Sequence, residues 1–131
     1  MDILGLLRSH GIQPTPQRMA VAGFAIDSRN HPSAEEVYLG VREACPTVSR
    51  ATVYNTLHLL VERGLVRQLA LREGVCVYDS QTAPHHHFID DDTGRIEDVP
   101  WDAVSVTGTD TLQGIDVREF QVVMRGRRRP R

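Results

Sequence analysis

The chain of 131 residues predicts an α+β fold in two parts. Three observations predict it. Before Gly64, apolar residues recur at helical spacing in segments opened by Thr or Ser. From Leu65 to Tyr78, two apolar runs flank Arg72-Glu73-Gly74, the pattern of a β-hairpin. Beyond the hairpin, helical spacing gives way to short strand-like runs in an acidic, histidine-bearing stretch.

The elements follow in order. Asp2 to Ser9 reads as a short helix with Ile3, Leu4, Leu6 and Leu7 apolar, ended by Gly11. Pro14-Thr15-Pro16 is a stiff turn; Thr15 caps the next helix and Pro16 takes its first position. From Gln17 to about Asp27, Met19, Val21, Ala22, Phe24, Ala25 and Ile26 recur as a core stripe. Ser33 and Glu36 form a capping box ahead of Val37, Tyr38 and Val41, and Pro46 lies beyond that helix. Ser49 caps a helix from Arg50 to Arg63, and Gly64 stops it. In it Val53, Leu57, Leu60 and Val61 form one buried stripe. The other face shows Arg50, Thr52, Tyr54, Asn55 and His58. Arginine grips phosphate or guanine, asparagine pairs with adenine, and an apolar ring meets thymine methyls. Taken alone, such a pattern more often means a solvated helix face. Helices followed by a hairpin make a winged helix-turn-helix, with the hairpin as wing, and the levels of evidence agree.

The stretch from Asp79 to Asp98 holds His85, His86 and His87 between carboxylates. In a strand, residues two apart share a face, so His85 and His87 converge and His86 points away. Neutral imidazole with carboxylate suits a borderline divalent ion such as Fe, Mn, Zn or Co. A solvated polar loop is the plainer reading of the triplet by itself.

Charge is unevenly spread. Residues 1–78 carry 8 Arg against 7 acids, residues 79–124 carry 2 Arg against 10 acids, and the last seven carry 5 Arg. A near-neutral first part, an acidic second part that attracts a cation and a basic tail follow. No apolar run of about 18 residues exists, so no membrane span is expected. The first ten residues carry Asp2 and Arg8 and do not read as a signal peptide, so a cytoplasmic location is expected. Cys45 and Cys76 stand singly, which offers no C-x-x-C site, and a disulfide between them is not expected in a reducing compartment. In the wing, Cys76 reads as a small apolar core residue.

With these residues in view, the chain resembles the ferric uptake regulator family of bacterial metal-dependent repressors. The residues that carry the resemblance are Thr15-Pro16-Gln17-Arg18, His31 through Tyr38, Ser49 through Leu57, Gly64-Leu65-Val66, and Tyr78-Asp79 running into the histidines. The resemblance implies a winged-helix DNA-binding domain over 1–79 and a small α/β dimerisation and metal-sensing domain over 80–131. It implies a regulatory site for Fe(II) or Mn(II), with Zn possible in vitro, made by His31, Asp79, His85, His87 and Asp98. It implies an AT-rich palindromic operator in double-stranded DNA bound by a homodimer, with Arg18 joining Arg50, Thr52, Tyr54 and Asn55 at the DNA. Aspartate at both acidic positions, and Asn55, look like the peroxide-sensing branch, in which His31 and His85 would be the oxidation-sensitive ligands. Family members usually carry a structural zinc held by two Cys pairs. Asp90 and Thr93 stand at the first pair's positions and the second runs into arginines, so no structural zinc is expected.

In this frame His87 to Ile89 and Arg95 to Asp98 are expected strands around Asp92-Thr93-Gly94. Gly114 to Arg125 is an expected third strand. Trp101 to Gln113 takes the place of a helix, but Val104, Val106, Gly108 and several Thr make it short or frayed. Not an enzyme, the protein reads as a repressor. An iron- or haem-responsive regulator is the alternative, with Cys45-Pro46 a weak haem dipeptide. A zinc-dependent hydrolase using His85, His87 and Asp98 is the third reading, against which stand five candidate ligands and no separate general base.

Overall fold

A computed structural model describes every residue except Met1, Arg29, Glu73 and Arg131. Glu73, central to the expected hairpin turn, and Arg131, last of the basic tail, thus lie outside the described residues. The chain divides into two units, Met1–Thr82 and Ala83–Arg131.

The first unit holds helices α1 (Ile3–Ser9), α2 (Pro16–Asp27), α3 (Ala34–Ala44) and α4 (Arg50–Glu62), then an antiparallel pair, β1 (Arg67–Arg72) and β2 (Val75–Asp79). Each helix begins where a short polar side chain accepts an otherwise orphaned backbone N–H. Asp2 accepts from Gly5, Thr15 from Arg18 and Ser49 from Thr52. Ser33 and Glu36 exchange both bonds of a capping box, at 3.1 and 3.2 Å. Gly64 follows α4 at φ 77°, the left-handed conformation that ends the helix without a Cβ penalty.

Leu7, Val21, Val37, Val53, Leu57, Leu60 and Val66 are fully buried at the centre of this unit. Each such side chain contributes roughly 1.5–3 kcal/mol through burial. The stripe of α4 differs from expectation at one place: Val61 is half-buried and Thr56 is buried beside Leu57. The Thr56 hydroxyl donates to the Thr52 carbonyl at 2.7 Å, so no polar atom is stranded.

The wing has a third member. The Tyr78 N–H donates to the Pro32 carbonyl at 2.9 Å, and Ser33 bridges to Val77. That loop covers the wing, and Val77, Tyr78 and Asp79 are all buried in succession. Cys76, expected in the core, is exposed. The buried end of β2 starts one residue later, where the loop before α3 lies against it.

The second unit is a three-stranded sheet in the order β4-β3-β5, with β3 (His86–Asp90), β4 (Ile96–Val99) and β5 (Val123–Gly126). The central β3 runs antiparallel to β4 and parallel to β5. Its turn into β4 is tied by Asp90, whose Oδ1 accepts from the Asp92 N–H at 2.9 Å. Gly94 closes the turn at φ 76°. The helix expected to be short or frayed is a 3-10 turn, Trp101–Ala103. One expectation is corrected here. The expected strand over Gly114 to Arg125 is regular only at Val123–Gly126. Gly108 and Gly114 both sit at positive φ, and Ile115 and Val117 are exposed rather than packed on one face. Among the described residues, no helix is long and apolar enough to cross a membrane.

The caps carry measurable stability. Ser49→Ala is expected to lower unfolding free energy by about 1 kcal/mol in urea denaturation followed by circular dichroism. An unchanged midpoint would mean that the Ser49 cap contributes nothing.

Candidate metal centre

In the second unit, His87 of β3 and Asp98 of β4 are direct cross-strand partners. Side chains so paired leave the sheet on the same face. His85, two residues before His87, joins them there. Its ring meets that of His87 edge-on, with centroids 4.6 Å apart. Asp98 Oδ1 lies 3.3 Å from His85 Nε2 and 3.7 Å from His87 Nε2. Both imidazoles are buried, at 4% and 1% exposure.

Their orientation is set from behind. His85 Nδ1 lies 2.7 Å from the Ala83 carbonyl oxygen, and His87 Nδ1 lies 2.7 Å from Gln121 Oε1. Both partners are acceptors, so each Nδ1 carries the proton and donates. Each ring then turns its Nε2 toward the same carboxylate oxygen. Two imidazole nitrogens and a carboxylate suit a divalent ion such as Mn, Fe or Zn, so this donor set fits one.

His86 faces the other way, as strand alternation requires. It is fully buried, its ring stacks on Trp101 at 4.6 Å and 14°, and its Nδ1 accepts from the Val122 N–H at 2.9 Å.

The first unit holds a second donor pair. His31 Nε2 lies 3.4 Å from Asp79 Oδ2, and both residues are buried. Asp79 Oδ1 accepts from the Gln81 N–H at 2.9 Å, which orients the carboxylate. His31 has φ 51°, the left-handed region that histidine visits more readily than most residues. The Pro32 and Ser33 contacts to β2 just described hold that backbone in place, so the strain of roughly 1–3 kcal/mol is carried by the surrounding structure. Each of the five residues offers one ligand atom, an imidazole nitrogen or a carboxylate oxygen.

On α4, Arg50, Tyr54 and Asn55 are exposed and Thr52 is half-buried. The Thr52 hydroxyl oxygen accepts from that of Ser49 at 3.0 Å. His58, on the same helix, is exposed and pairs with Glu62. Arg50 forks onto Glu35 of α3, its Nη2 and Nε donating at 2.8 and 3.1 Å, and its guanidinium lies 4.4 Å from the centre of the Tyr38 ring. The hydrogen bond from Arg50 holds the Glu35 carboxyl below the usual carboxylate range. Arg18, on α2, donates to the Gln13 carbonyl at 2.9 Å. Glu35, Tyr38 and Gln121 were not singled out by the sequence as partners of these residues. The Arg50–Glu35 pair spans 15 residues and the His87–Gln121 pair 34, and no spacing rule connects residues so far apart.

Helices with a wing, followed by a small sheet bearing imidazole and carboxylate donors, define a winged-helix protein with metal-donor sites. Residues 9–125 match the ferric uptake regulator family, and the chain belongs to that family. Among curated relatives, it is 36% identical over 97 residues to the peroxide-responsive repressor PerR of Staphylococcus saprophyticus, an overlap of 74% of this chain. The matched stretch spans 66% of that relative's length. Among solved structures, the manganese-bound ferric uptake regulator of Pseudomonas aeruginosa matches with a TM-score of 0.75 and 25% identity, covering 99% of this chain and 100% of that one. The Campylobacter jejuni peroxide stress regulator matches with a TM-score of 0.69 and 29% identity, covering 99% of this chain and 98% of that one.

The Arg50–Glu35 pair has a pH signature. Because the Glu35 carboxyl is depressed, the pair contributes above the ordinary carboxylate range and is lost as pH falls through the folded value. A carbon-detected NMR titration is expected to place Glu35 below that range and to return it to normal in Arg50→Met. An ordinary Glu35 titration in the parent protein would contradict the pairing.

Proposed function

We propose that this protein is a metal-dependent, DNA-binding transcriptional repressor that works as a cytoplasmic homodimer and senses peroxide through its own ligand histidines. The observation that carries the reading is the pair of donor sets, buried His31 with buried Asp79 in one unit and buried His85 and His87 with the exposed Asp98 in the other. We take His31, Asp79, His85, His87 and Asp98 as the ligands for Fe(II) or Mn(II). Three imidazoles and two carboxylates match the preference of those ions, and Zn(II) would also be accepted in vitro.

In a dimer, the pose of the units sets the distance between the two copies of α4. That distance has to match operator half-sites on the duplex. An ion favours the DNA-competent pose only in proportion to its preference for it. Tyr54 and Asn55 are placed to read bases, while Arg18, Arg50 and Thr52 bind phosphates or neighbouring bases. Arg50 reaches DNA from its perch on Glu35 and Tyr38, which limits its freedom before binding. Val106, Leu112, Ile115 and Val117, all exposed apolar residues of the second unit, suit contact with a second copy. We assign no structural zinc to that unit, in which no cysteine stands.

The likeness to a peroxide-responsive repressor, together with aspartate at both acidic positions, supports peroxide sensing. An Fe(II) held there would activate peroxide for O–O cleavage. The His31 or His85 ring would be the net two-electron reductant: one peroxide oxygen would insert at a ring carbon–hydrogen bond, with the hydrogen kept on the oxidised ring, and the other would leave as water. The altered ring is a poorer ligand, so the metal-stabilised pose is lost in a single sacrificial event.

Binding of an AT-rich palindromic duplex by apo, Mn(II) and Fe(II) protein tests the first part. The metal forms are expected to bind more tightly, and metal titration without effect on DNA affinity would end the proposal. His31→Asn keeps a residue that tolerates the same backbone. Loss of a direct ligand is expected to lower Mn(II) affinity beyond the roughly 10- to 100-fold typical of outer-shell changes. Mass spectrometry after peroxide tests the second part. Peptides containing His31 or His85 are expected to gain one oxygen in the Fe(II) form and none in the Mn(II) form. No gain in either form would turn the reading to an iron-responsive regulator.

A further inference from the structure

The two histidines of the second unit are oriented by different means. His85 is held by a backbone carbonyl two residues before it, that of Ala83. His87 is held by a side chain 34 residues away, Gln121. Residues 121 and 122 engage β3 at three points. Gln121 Oε1 accepts from His87 Nδ1 at 2.7 Å, the Val122 carbonyl accepts from the His87 N–H at 3.0 Å, and the Val122 N–H donates to His86 Nδ1 at 2.9 Å. Backbone and side-chain bonds therefore fix both the position and the rotation of the His87 ring.

From this geometry we infer that Gln121 is the positioning residue of the metal centre, acting through His87. The inference rests on the proposed reading of His87 as a ligand. An imidazole rotates about its Cβ–Cγ bond and exists in two neutral tautomers. Only one combination aims an Nε2 lone pair toward Asp98. An acceptor behind Nδ1 selects that combination before the ion arrives, so binding does not have to supply the ordering free energy. Gln121 is exposed on the rest of its surface and fills no core, so its side chain is suited to this single contact. The amide oxygen is the atom that matters. A carboxylate at the same reach is an equal or stronger acceptor, whereas an apolar side chain offers none.

The test is Mn(II) affinity of the full-length protein, read from free Mn(II) by electron paramagnetic resonance. Gln121→Leu is expected to weaken binding by roughly 10- to 100-fold, the range for loss of an outer-shell partner. The metal-free melting temperature should stay near that of the parent. Gln121→Glu is expected to bind within about threefold of the parent or more tightly, because the acceptor is kept. Parent-like affinity in Gln121→Leu, alongside a large loss in His87→Ala, would overturn the inference and leave the site intact. Equal losses in Gln121→Leu and Gln121→Glu would also overturn it, since the acceptor would then be irrelevant. Parent-like affinity in His87→Ala would overturn the ligand reading and this inference with it.

Discussion

Two imidazoles, each already donating from Nδ1, face one carboxylate oxygen in the second unit. Two imidazole nitrogens and a carboxylate suit a divalent cation, and the rest of the unit serves to hold these three side chains in place. The middle strand β3 supplies both rings or their immediate neighbour, β4 supplies Asp98 as a cross-strand partner, and the residues leading into β5 supply Gln121 and Val122. The Asp90 turn sets the β3–β4 register, and a one-residue slip there would send Asp98 to the wrong face. A sheet of only three short strands is thus fully engaged in aiming three side chains.

The first unit solves a similar problem with different means. Its helices are begun by local caps and packed around Leu7, Val21, Leu57 and Leu60. Spare conformational strain appears at one non-glycine residue among those described, His31, where the next two residues are tied to the wing. Strain kept at a buried, chemically capable side chain is characteristic of functional sites rather than scaffolds. The same helix that starts with the Ser33 capping box provides Glu35 and Tyr38, which hold Arg50 at the start of α4.

How much was legible in the sequence depended on the range of the interaction. Thr15, Ser33, Ser49 and Gly64 act on backbone within three or four residues, and they placed α2, α3 and α4 correctly. Strand alternation put His85 and His87 on one face and His86 on the other. The failures are non-local. Cys76 was read as a small apolar core residue, but it is exposed, and burial in β2 falls on the consecutive residues Val77 to Asp79, where the 31–33 loop lies against the strand. The strand expected from Gly114 onward was shortened because only Val123 to Gly126 finds a partner in β3. Gln121 escaped notice because nothing in the run R-E-F-Q-V-V announces a contact with a histidine far upstream.

The parallel pairing of β3 with β5 has a further consequence for assembly. Val122 and His86 are 36 residues apart, joined by a stretch that is largely irregular after the turn at Trp101–Ala103. Closing so long a loop costs chain entropy before any contact compensates it, and non-local pairing of this kind forms slowly. Helices stabilised by neighbours in sequence form quickly, and N-terminal segments leave the ribosome first. The nascent chain therefore exposes the residues of the His31–Asp79 pair before it exposes Gln121, and the contact that orients the His87 ring is among the last to form.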